Sequence, residues 1–371
     1  MRIRLLGAIA LACACTGIVV AFALPAAASG HDGRGKNVAR DHHARTFAHM
    51  DHVFVIMMEN TSYSDLLNPA NPNTTFIQSL ASTYGLETNY FGVTHVSFPN
   101  YLATTSGSNW GSNSDDVGQA PLLDHENIVD QFEQAHVSWK AYMEDLPSPG
   151  DTVTQTADGL YVRKHDPFLM YPDVYNDPSR ADKVVPLTQL GTDLSSGHVP
   201  KFVWITPNDC NNMHGGAPSC PFPNSPTDEF QAALYQDGDA FLKTWVTAIM
   251  HSSAWTGHSA IFVTWDEGSF ADDAPFGPND TSGCCDSPRL PATPPNPATG
   301  GGGDLVGSTV YGGGHVPMIV VTRHGAHGTT DDTLTNHYSL LQTIEQNWHL
   351  PFLGNASDTV QVHSLAPLLA H

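Results

Sequence analysis

Positive charge is scarce in this sequence of 371 residues. Only 15 lysines and arginines stand against 37 aspartates and glutamates, so the formal net charge is −22. A surface this acidic repels polyanions, which argues against nucleic acid and anionic lipid as general partners. Such a charge balance is typical of a soluble exported protein. The sequence also has no internal repeat.

Long apolar runs are absent after the N-terminal region. The run from Leu5 to Phe22 follows two arginines and precedes an Ala-x-Ala cleavage site. This pattern predicts a signal peptide over residues 1–28, export of the protein, and no transmembrane segment after cleavage. A membrane anchor is disfavoured because the run is barely long enough to span a bilayer and lacks a charged stop-transfer segment.

Cysteine is sparse beyond the predicted signal peptide. The four remaining cysteines are Cys210, Cys220, Cys284 and Cys285. An even number in an exported protein indicates disulfides, with three connectivities open. A four-cysteine zinc site is disfavoured because the adjacent Cys284 and Cys285 lack the usual C-x-x-C spacing.

Composition divides the remaining chain into three kinds of segment. Residues 29–49 are polar, aperiodic and rich in histidine, which predicts a flexible linker and leaves a metal-scavenging role as an alternative. Residues 50–371 are predicted to form one folded domain. Within it, residues 269–314 are rich in glycine and proline and are predicted to form a long loop insertion.

Apolar strand-like runs alternate with amphipathic helical segments in the folded region. The predicted strands are 52–58, 138–143, 201–206, 259–265 and 316–322. The predicted helices are 74–85, 124–136, 228–251 and 336–350. Continuous apolar strands separated by helices predict an α/β fold with a mostly parallel central sheet covered on both faces.

Polar clusters follow three of these strands directly. They are Glu59-Asn60, Asn208-Asp209 with His214 just beyond, and Asp266-Glu267. Parallel strands place their carboxyl ends along one edge of a sheet, where ligands bind. Converging oxygen atoms there would hold a divalent cation. Each cluster taken alone is better explained as a helix N-cap or a solvated turn, and it is the three in register that favour a cation site.

Two further segments carry polar groups suited to binding an anion. Ser97 lies at the predicted start of a helix, with Pro99 near the first helical position. Backbone N–H groups at such a position favour an attached phosphate, although a simple N-cap is an equal interpretation. Arg163, Lys164 and His165 bring three potential cations together in an otherwise acidic chain.

Eight stretches carry a further signal, and they are HVFVIMMENTSYSD (52–65), THVSFPNYLATTSG (94–107), AYMEDLP (141–147), YVRKHDPF (161–168), WITPNDCNNMHGG (204–216), FVTWDEG (262–268), GGGHVPMIVVT (312–322) and NHYSLLQTIE (336–345). Together they resemble the bacterial phosphoesterase family of secreted acid phosphatases and phospholipases C. That family belongs to the alkaline-phosphatase-like superfamily, so the resemblance implies a three-layer α/β/α fold. The similarity is greatest to the short acid phosphatase branch, which includes phosphatidylinositol-3-phosphatases.

The resemblance also implies roles for individual residues. The implied ligands of one divalent metal ion, whose identity stays open, are Glu59, Asn60, Asp266 and Glu267. The implied catalytic residues are the nucleophile Ser97 and the histidines His165 and His214. The implied substrate-binding residues are Asn60, His95, Asn100 and Lys164. His337 matches a family histidine at the start of the last helix.

Two departures from the family pattern narrow the expectation. The family often has N-D-M-H-D where this chain has residues 211–215, so that Asn212 and Gly215 replace two acids. This favours a single metal ion over a pair. The phospholipase C branch usually reads E-N-R-S-F-D, whereas here Ser64 precedes a late Asp65. This favours the phosphatase branch.

The sequence therefore predicts a secreted, metal-dependent phosphoesterase that hydrolyses phosphate monoesters. A histidine is expected to protonate the leaving alcohol, which would favour an acidic optimum. The expected partner is a phosphate ester, with phospholipids and inositol phosphates among the candidates. Two alternatives stay open: a phospholipase C-type phosphodiesterase, and a non-catalytic secreted binding protein on an esterase fold. The oligomeric state is open as well.

Overall fold

A computed structural model describes residues 47–112, 114–115, 117, 124–223, 229–269, 282–287 and 312–370. The predicted signal peptide, almost all of the predicted linker and most of the 269–314 loop lie outside these residues. Within the described ranges, no helix has both the length and the apolar character needed to cross a membrane.

Strands and helices alternate along the described chain. The strands are β1 (Val53–Met58), β2 (Gly85–Glu87), β3 (Tyr90–Phe91), β4 (Trp139–Met143), β5 (Val184–Pro186), β6 (Phe202–Thr206), β7 (Ala260–Trp265), β8 (Met318–Thr322), β9 (Thr329–Asp331) and β10 (Thr335–Asn336). The α-helices are α1 (Tyr63–Leu66), α2 (Thr75–Thr83), α3 (Ser97–Ser106), α4 (Ile128–Gln134), α5 (Pro172–Tyr175), α6 (Pro178–Ala181), α7 (Thr188–Ser196), α8 (Glu229–Met250), α9 (His337–Trp348) and α10 (Ala366–Leu369).

The central sheet has the strand order β5-β4-β6-β1-β7-β8-β2-β9 in the part of the chain that the structure describes. Pairing is parallel from β5 through β7 and again between β2 and β9. Strand β8 pairs antiparallel with both of its neighbours, so it alone among the eight described strands runs against the rest. The predicted α/β fold with a mostly parallel sheet is confirmed.

Strand β1 lies at the centre of the sheet and is buried on both faces. All six of its residues are buried, so helices must cover the sheet on each side, as in parallel sheets generally. Helices α2 and α7 pack against α8, and α3 packs against α9. All of the predicted strands and helices are present. The shortest strands, such as β3 and β10, were not predicted because two residues carry no periodic signal.

The four described cysteines form two disulfides. Cys210 pairs with Cys220, and Cys284 pairs with its neighbour Cys285. This is one of the three connectivities that the sequence left open. The first disulfide closes the loop that follows β6 and contains His214, so it constrains the backbone next to the carboxyl end of the sheet.

Glu87 is an acid placed in the interior at the edge of the sheet. It is fully buried in β2 and lies in register with Asp331 of β9. Neither of its carboxylate oxygens has a hydrogen-bond partner of good geometry among the described residues. Burial, and then the charge of Asp331, raise the pKa of Glu87 to about 9. The folded protein therefore holds a proton here at neutral pH that the unfolded chain releases.

This proton makes a testable contribution to the pH dependence of stability. Because the folded-state pKa is raised above the unfolded value of about 4.3, the folded state binds more protons between those two values and stability falls as pH rises. At pH 8 we expect the free energy of unfolding of Glu87→Gln to exceed that of the wild type by about 1–3 kcal/mol, which raises the urea midpoint. At pH 5 we expect little difference between the two proteins.

The matched control is Glu229→Gln, which removes the same charge from an exposed position at the start of α8. Urea unfolding of the three proteins at both pH values measures the effect. A gain for Glu87→Gln that is the same at pH 5 and pH 8 would contradict the assignment of the proton to Glu87.

Candidate functional site

The three predicted polar clusters meet at the carboxyl edge of the sheet. Strand β1 lies between β6 and β7, and all three run parallel. Met58 is in register with Trp265, so Glu59 and Asp266 follow their strands at the same level. Glu59, Asp266 and Glu267 are fully buried, and Asp209 is nearly so. The topology thus concentrates four carboxylates in a region with little access to water.

Burial disfavours the ionised form of these acids more than the nearby ammonium group of Lys164 favours it. It raises the pKa of Glu59 and of Glu267 well above the ordinary range, and the charge of Asp266 raises both further. It also raises the pKa of Asp266 to about 6 and that of Asp209 to about 6. A cation among these carboxylates would relieve both the desolvation and the repulsion.

Ser97 is held in the middle of this acidic cluster. It is the first residue of α3, as predicted, and every residue of that helix is buried. Its Oγ donates to Glu59 Oε2 at 2.9 Å and lies 3.3 Å from Glu267 Oε1. The hydroxyl therefore points at two carboxylates, while the amino end of the helix favours negative charge beside it.

Asn60 contacts the same two glutamates as Ser97. Its backbone N–H donates to Asp266 Oδ1 at 3.1 Å. One terminal atom of its carboxamide lies 3.2 Å from Glu59 Oε2 and 3.1 Å from Glu267 Oε1. With nitrogen at that position the amide donates two hydrogen bonds, and with oxygen there it adds a third oxygen to a converging set.

These residues fit a divalent cation. Asp266 Oδ2 is buried and accepts no hydrogen bond from the described residues, which is costly for a carboxylate oxygen unless a ligand contacts it. Carboxylate and amide oxygens are the donors that hard and borderline divalent ions prefer. Glu59, Asn60, Asp266 and Glu267 are the ligands that the family resemblance implies, and their binding of a metal ion stays a prediction.

His165 and His214 lie on the opposite side of Glu59 from Ser97. His165 Nε2 is 3.2 Å from Glu59 Oε1, and its Nδ1 is 3.2 Å from Asp209 Oδ1. His214 Nδ1 donates to the carbonyl oxygen of Gly215 at 2.7 Å. Glu59, His165 and His214 offer one ligand atom each within 4.8 Å of one another, and so form a second group able to hold a metal ion.

The protonation of these histidines differs from what the sequence led us to expect, which was a histidine already protonated before the reaction. Burial and the positive charge of Lys164 lower the pKa of His165 well below its ordinary range and that of His214 to about 3. Both rings are therefore neutral near pH 6.5 in this structure. The expected acidic pH optimum assumed that a histidine becomes protonated near its ordinary pKa. That assumption does not hold for His165 or His214, so their protonation gives no reason for an acidic optimum.

Lys164 supplies the positive charge beside the histidines. Its Nζ donates to His214 Nε2 at 3.0 Å and to Asp115 Oδ2 at 2.8 Å. Although burial opposes the charged form of Lys164, the carboxylates of Asp115 and Glu59 raise its pKa. The ammonium group therefore stays charged and lies within the same cluster as Glu59.

Three other predicted residues take different positions. His95 Nδ1 lies 2.5 Å from Glu267 Oε2, at the edge of the oxygen donors. The side chain of Asn100 is engaged by four backbone groups between Val93 and Val96, so it orders the segment that leads into α3. His337 Nε2 donates to the carbonyl oxygen of Asp266 at 2.6 Å. A direct contact of His95 or Asn100 with substrate stays a prediction.

Sequence reasoning missed two residues that contact the site. Tyr101 Oη donates to Glu59 Oε1 at 2.6 Å, and its ring stacks on His165 with 5.7 Å between centroids. Its spacing of four residues from Ser97 puts both on one face of α3, which was a usable signal. Asp115 had no such signal, because it comes from a loop without periodicity.

Comparison with known proteins gives a consistent result. A family model described as "Phosphoesterase family" matches residues 68–351, a range that begins after Glu59 and Asn60. The phosphate-repressible acid phosphatase of Penicillium chrysogenum is 28% identical over 302 residues, which cover 81% of this chain and 59% of that protein. The phosphatidylinositol-3-phosphatase of Mycobacterium tuberculosis is 28% identical over 317 residues, which cover 84% of this chain and 81% of that protein.

The solved structures agree at the level of the fold. A Bacteroides thetaiotaomicron protein from a glycosaminoglycan-metabolism locus superposes with a TM-score of 0.55 at 11% identity, covering 87% of this chain and 82% of its own. At that identity the similarity shows a common fold and nothing about function. The family model covers well over half of the sequence and includes the segments that carry Ser97, Lys164, His214 and Asp266. The chain belongs to the phosphoesterase family.

Proposed function

We propose that the protein is an exported, metal-dependent phosphoesterase that hydrolyses phosphate monoesters with Ser97 as its nucleophile. The observation that carries the proposal is the position of Ser97 Oγ, which lies 2.9 Å from Glu59 and 3.3 Å from Glu267 at the amino end of α3. A hydroxyl with a carboxylate acceptor at a helix N-terminus is suited to attack phosphorus. The relatives named acid phosphatases support the choice of reaction.

Activation of the nucleophile requires a path for its proton. Glu59 accepts the Ser97 hydroxyl through Oε2, while its Oε1 lies 3.2 Å from the neutral His165. His165 in turn faces the carboxylate of Asp209, which would stabilise the imidazolium once it forms. The proton can therefore move from Ser97 through Glu59 to His165 as the bond from Oγ to phosphorus forms.

The same proton then serves the leaving group. As the ester bond between phosphorus and the alcohol oxygen breaks, the imidazolium of His165, which holds the proton taken from Ser97, returns it to that oxygen. These proton transfers need no histidine that is protonated before the reaction starts, in agreement with the lowered pKa of both rings. Water attacks the resulting phosphoserine, loses its proton to the same base, and releases inorganic phosphate.

Positive groups must stabilise the charge on the transferring phosphoryl group. Lys164 is the charged candidate within the cluster, and Asn60 offers an amide next to Ser97. The backbone N–H of Phe98, the residue after Ser97, is a further donor in the first turn of α3. A divalent cation held by Glu59, Asn60, Asp266 and Glu267 would supply Lewis-acid stabilisation of negative oxygen.

The contacts favour one ion over two. A second ion in the group of Glu59, His165 and His214 would compete for two atoms that already have partners, and only His165 Nε2 in that group lacks a hydrogen-bond partner among the described residues. Tyr101 donates to Glu59 Oε1, and Lys164 donates to His214 Nε2. In the oxygen set Asp266 Oδ2 likewise has no hydrogen-bond partner among the described residues, and three carboxylates instead of one offer negative charge to the ion. We therefore place the single ion on the Ser97 side of Glu59.

The substrate class follows from the relatives rather than from the cavity. The match to a phosphatidylinositol-3-phosphatase spans 81% of that protein, whereas the chain spans 59% of the length of the fungal relative. A phosphorylated inositol headgroup is thus the first substrate to test beside a simple aryl phosphate. Export is proposed on the signal peptide expected over residues 1–28.

Replacement of the nucleophile gives the first test of the reaction. We expect Ser97→Ala to lower the kcat for p-nitrophenyl phosphate by about 10³-fold or more, because no other group supplies the attacking oxygen. Ser195→Ala, an exposed serine in α7, is the matched control. Acid-quenched wild-type enzyme should carry phosphate on the peptide that contains Ser97.

The outcomes separate the competing functions. Activity that survives Ser97→Ala would assign the attack to water and overturn the serine mechanism. Wild-type enzyme that cleaves a choline phosphodiester but not the monoester would be a phospholipase C-type diesterase. A wild-type protein that turns over neither substrate, with or without added Mg²⁺, Ca²⁺, Mn²⁺ or Zn²⁺, would be a non-catalytic binding protein.

Removal of one buried acid tests the cation site without using activity. In the chelated protein we expect Asp266→Asn to raise Tm, because it takes one charge out of a repulsive buried cluster. In the wild type, a cation at 100 times its Kd should add about 2.7 kcal/mol of stability, and the variant should lose most of that gain. Thermal melting with EDTA and with each divalent ion measures both effects.

The exposed Asp182, at the end of α6, provides Asp182→Asn as a charge-matched control. This control should melt like the wild type in EDTA and keep the full cation-dependent increase. An Asp266→Asn variant that also keeps the full increase would place the cation elsewhere and contradict the proposed ligand set.

A further inference from the structure

Asp115 makes two contacts that neither the sequence motifs nor the mechanism explain. Its Oδ1 accepts from the backbone N–H of Phe98 at 3.0 Å. Its Oδ2 accepts from Lys164 Nζ at 2.8 Å. The carboxylate therefore bridges a backbone donor in the first turn of α3 and the ammonium group beside His214.

Both donors belong to the place where a phosphate group should bind. Phe98 follows Ser97 directly, so its N–H is next to the nucleophile at the amino end of a helix of ten residues. Lys164 is the charged donor of the proposed site. A carboxylate and a phosphate accept hydrogen bonds from such donors in the same way, because each presents oxygen atoms that share a negative charge.

The surroundings of Asp115 indicate that the contact can be exchanged. Its side chain is 31% exposed, whereas that of Lys164 is 17% exposed and Ser97 is buried. Asp115 thus lies on the solvent side of the donors that it contacts.

We propose that Asp115 is an internal competitor of the substrate, which occupies the phosphate-binding donors Phe98 N–H and Lys164 until a phosphate group displaces it. The proposal rests on the proposed function, because it assigns these donors to the phosphate of that reaction. The carboxylate neutralises Lys164 in the free protein and sets the affinity for substrate and for the product phosphate. Asp115 is a specificity-determining residue in this role and takes no part in bond making.

Kinetics of Asp115→Asn and Asp115→Ala test the proposal. Removal of the competing charge should lower the Ki of inorganic phosphate and the KM of p-nitrophenyl phosphate about tenfold, equivalent to about 1.4 kcal/mol. The kcat should not fall, because Asp115 contacts no reacting atom. Asp182→Asn removes the same charge from an exposed site and should change neither constant.

Small carboxylates provide a second measurement that a merely structural role would not affect. Acetate should inhibit Asp115→Ala competitively with substrate, because it can fill the vacated donors. It should have little effect on the wild type, whose own carboxylate is present at high effective concentration. Acetate inhibition that is equal in both proteins would contradict the proposal.

Several results would overturn the inference. A higher KM with an unchanged or higher phosphate Ki would show that Asp115 positions Lys164 instead of competing for it. Failure of both variants to fold, judged by circular dichroism, would give Asp115 a structural role. Calorimetric titration of inorganic phosphate into the Asp115 variants needs no turnover, so it tests the competitor even where the Ser97→Ala result rejects the proposed reaction.

Discussion

The burial of four carboxylates at one edge of the sheet is the constraint on which the rest of the site depends. Strands β6, β1 and β7 are adjacent and parallel, so the acids that follow them cannot avoid one another. Their pKa values are raised although the charge of Lys164 lowers them, which records the free-energy cost of burying these acids together. Few folded proteins retain such a cluster without a compensating ligand or function.

Helix α3 fixes the positions of the side chains that contact these carboxylates. Asn100 ties the segment before the helix to the helix itself through four backbone hydrogen bonds. Ser97 and Tyr101, one turn apart, then reach the two oxygens of the same carboxylate, Glu59. A single helix thus fixes the proposed nucleophile against the carboxylate that we propose accepts its proton, which is the preorganisation that catalysis requires.

Much of this arrangement could be predicted from the sequence, because it follows from strand ends. The apolar runs before Glu59, Asp209 and Asp266 predicted parallel strands, and parallel strands bring their carboxyl ends together. The protonation of His165 could not be predicted, since it depends on burial and on the distance to Lys164 in the folded state. The position of Asp115 was equally inaccessible, because loop geometry leaves no periodic trace.

An acidic protein that binds phosphate must concentrate its positive charge where the ligand lies. With a net charge of −22, the long-range field of this chain repels anionic esters, so attraction can come only from short-range groups. Lys164 is such a group, and its ammonium lies among Asp115, His214 and the charge of Glu59. Acids hold that ammonium and offset its attraction for phosphate, and the proposed displacement of Asp115, the partly exposed acid among them, would release that attraction.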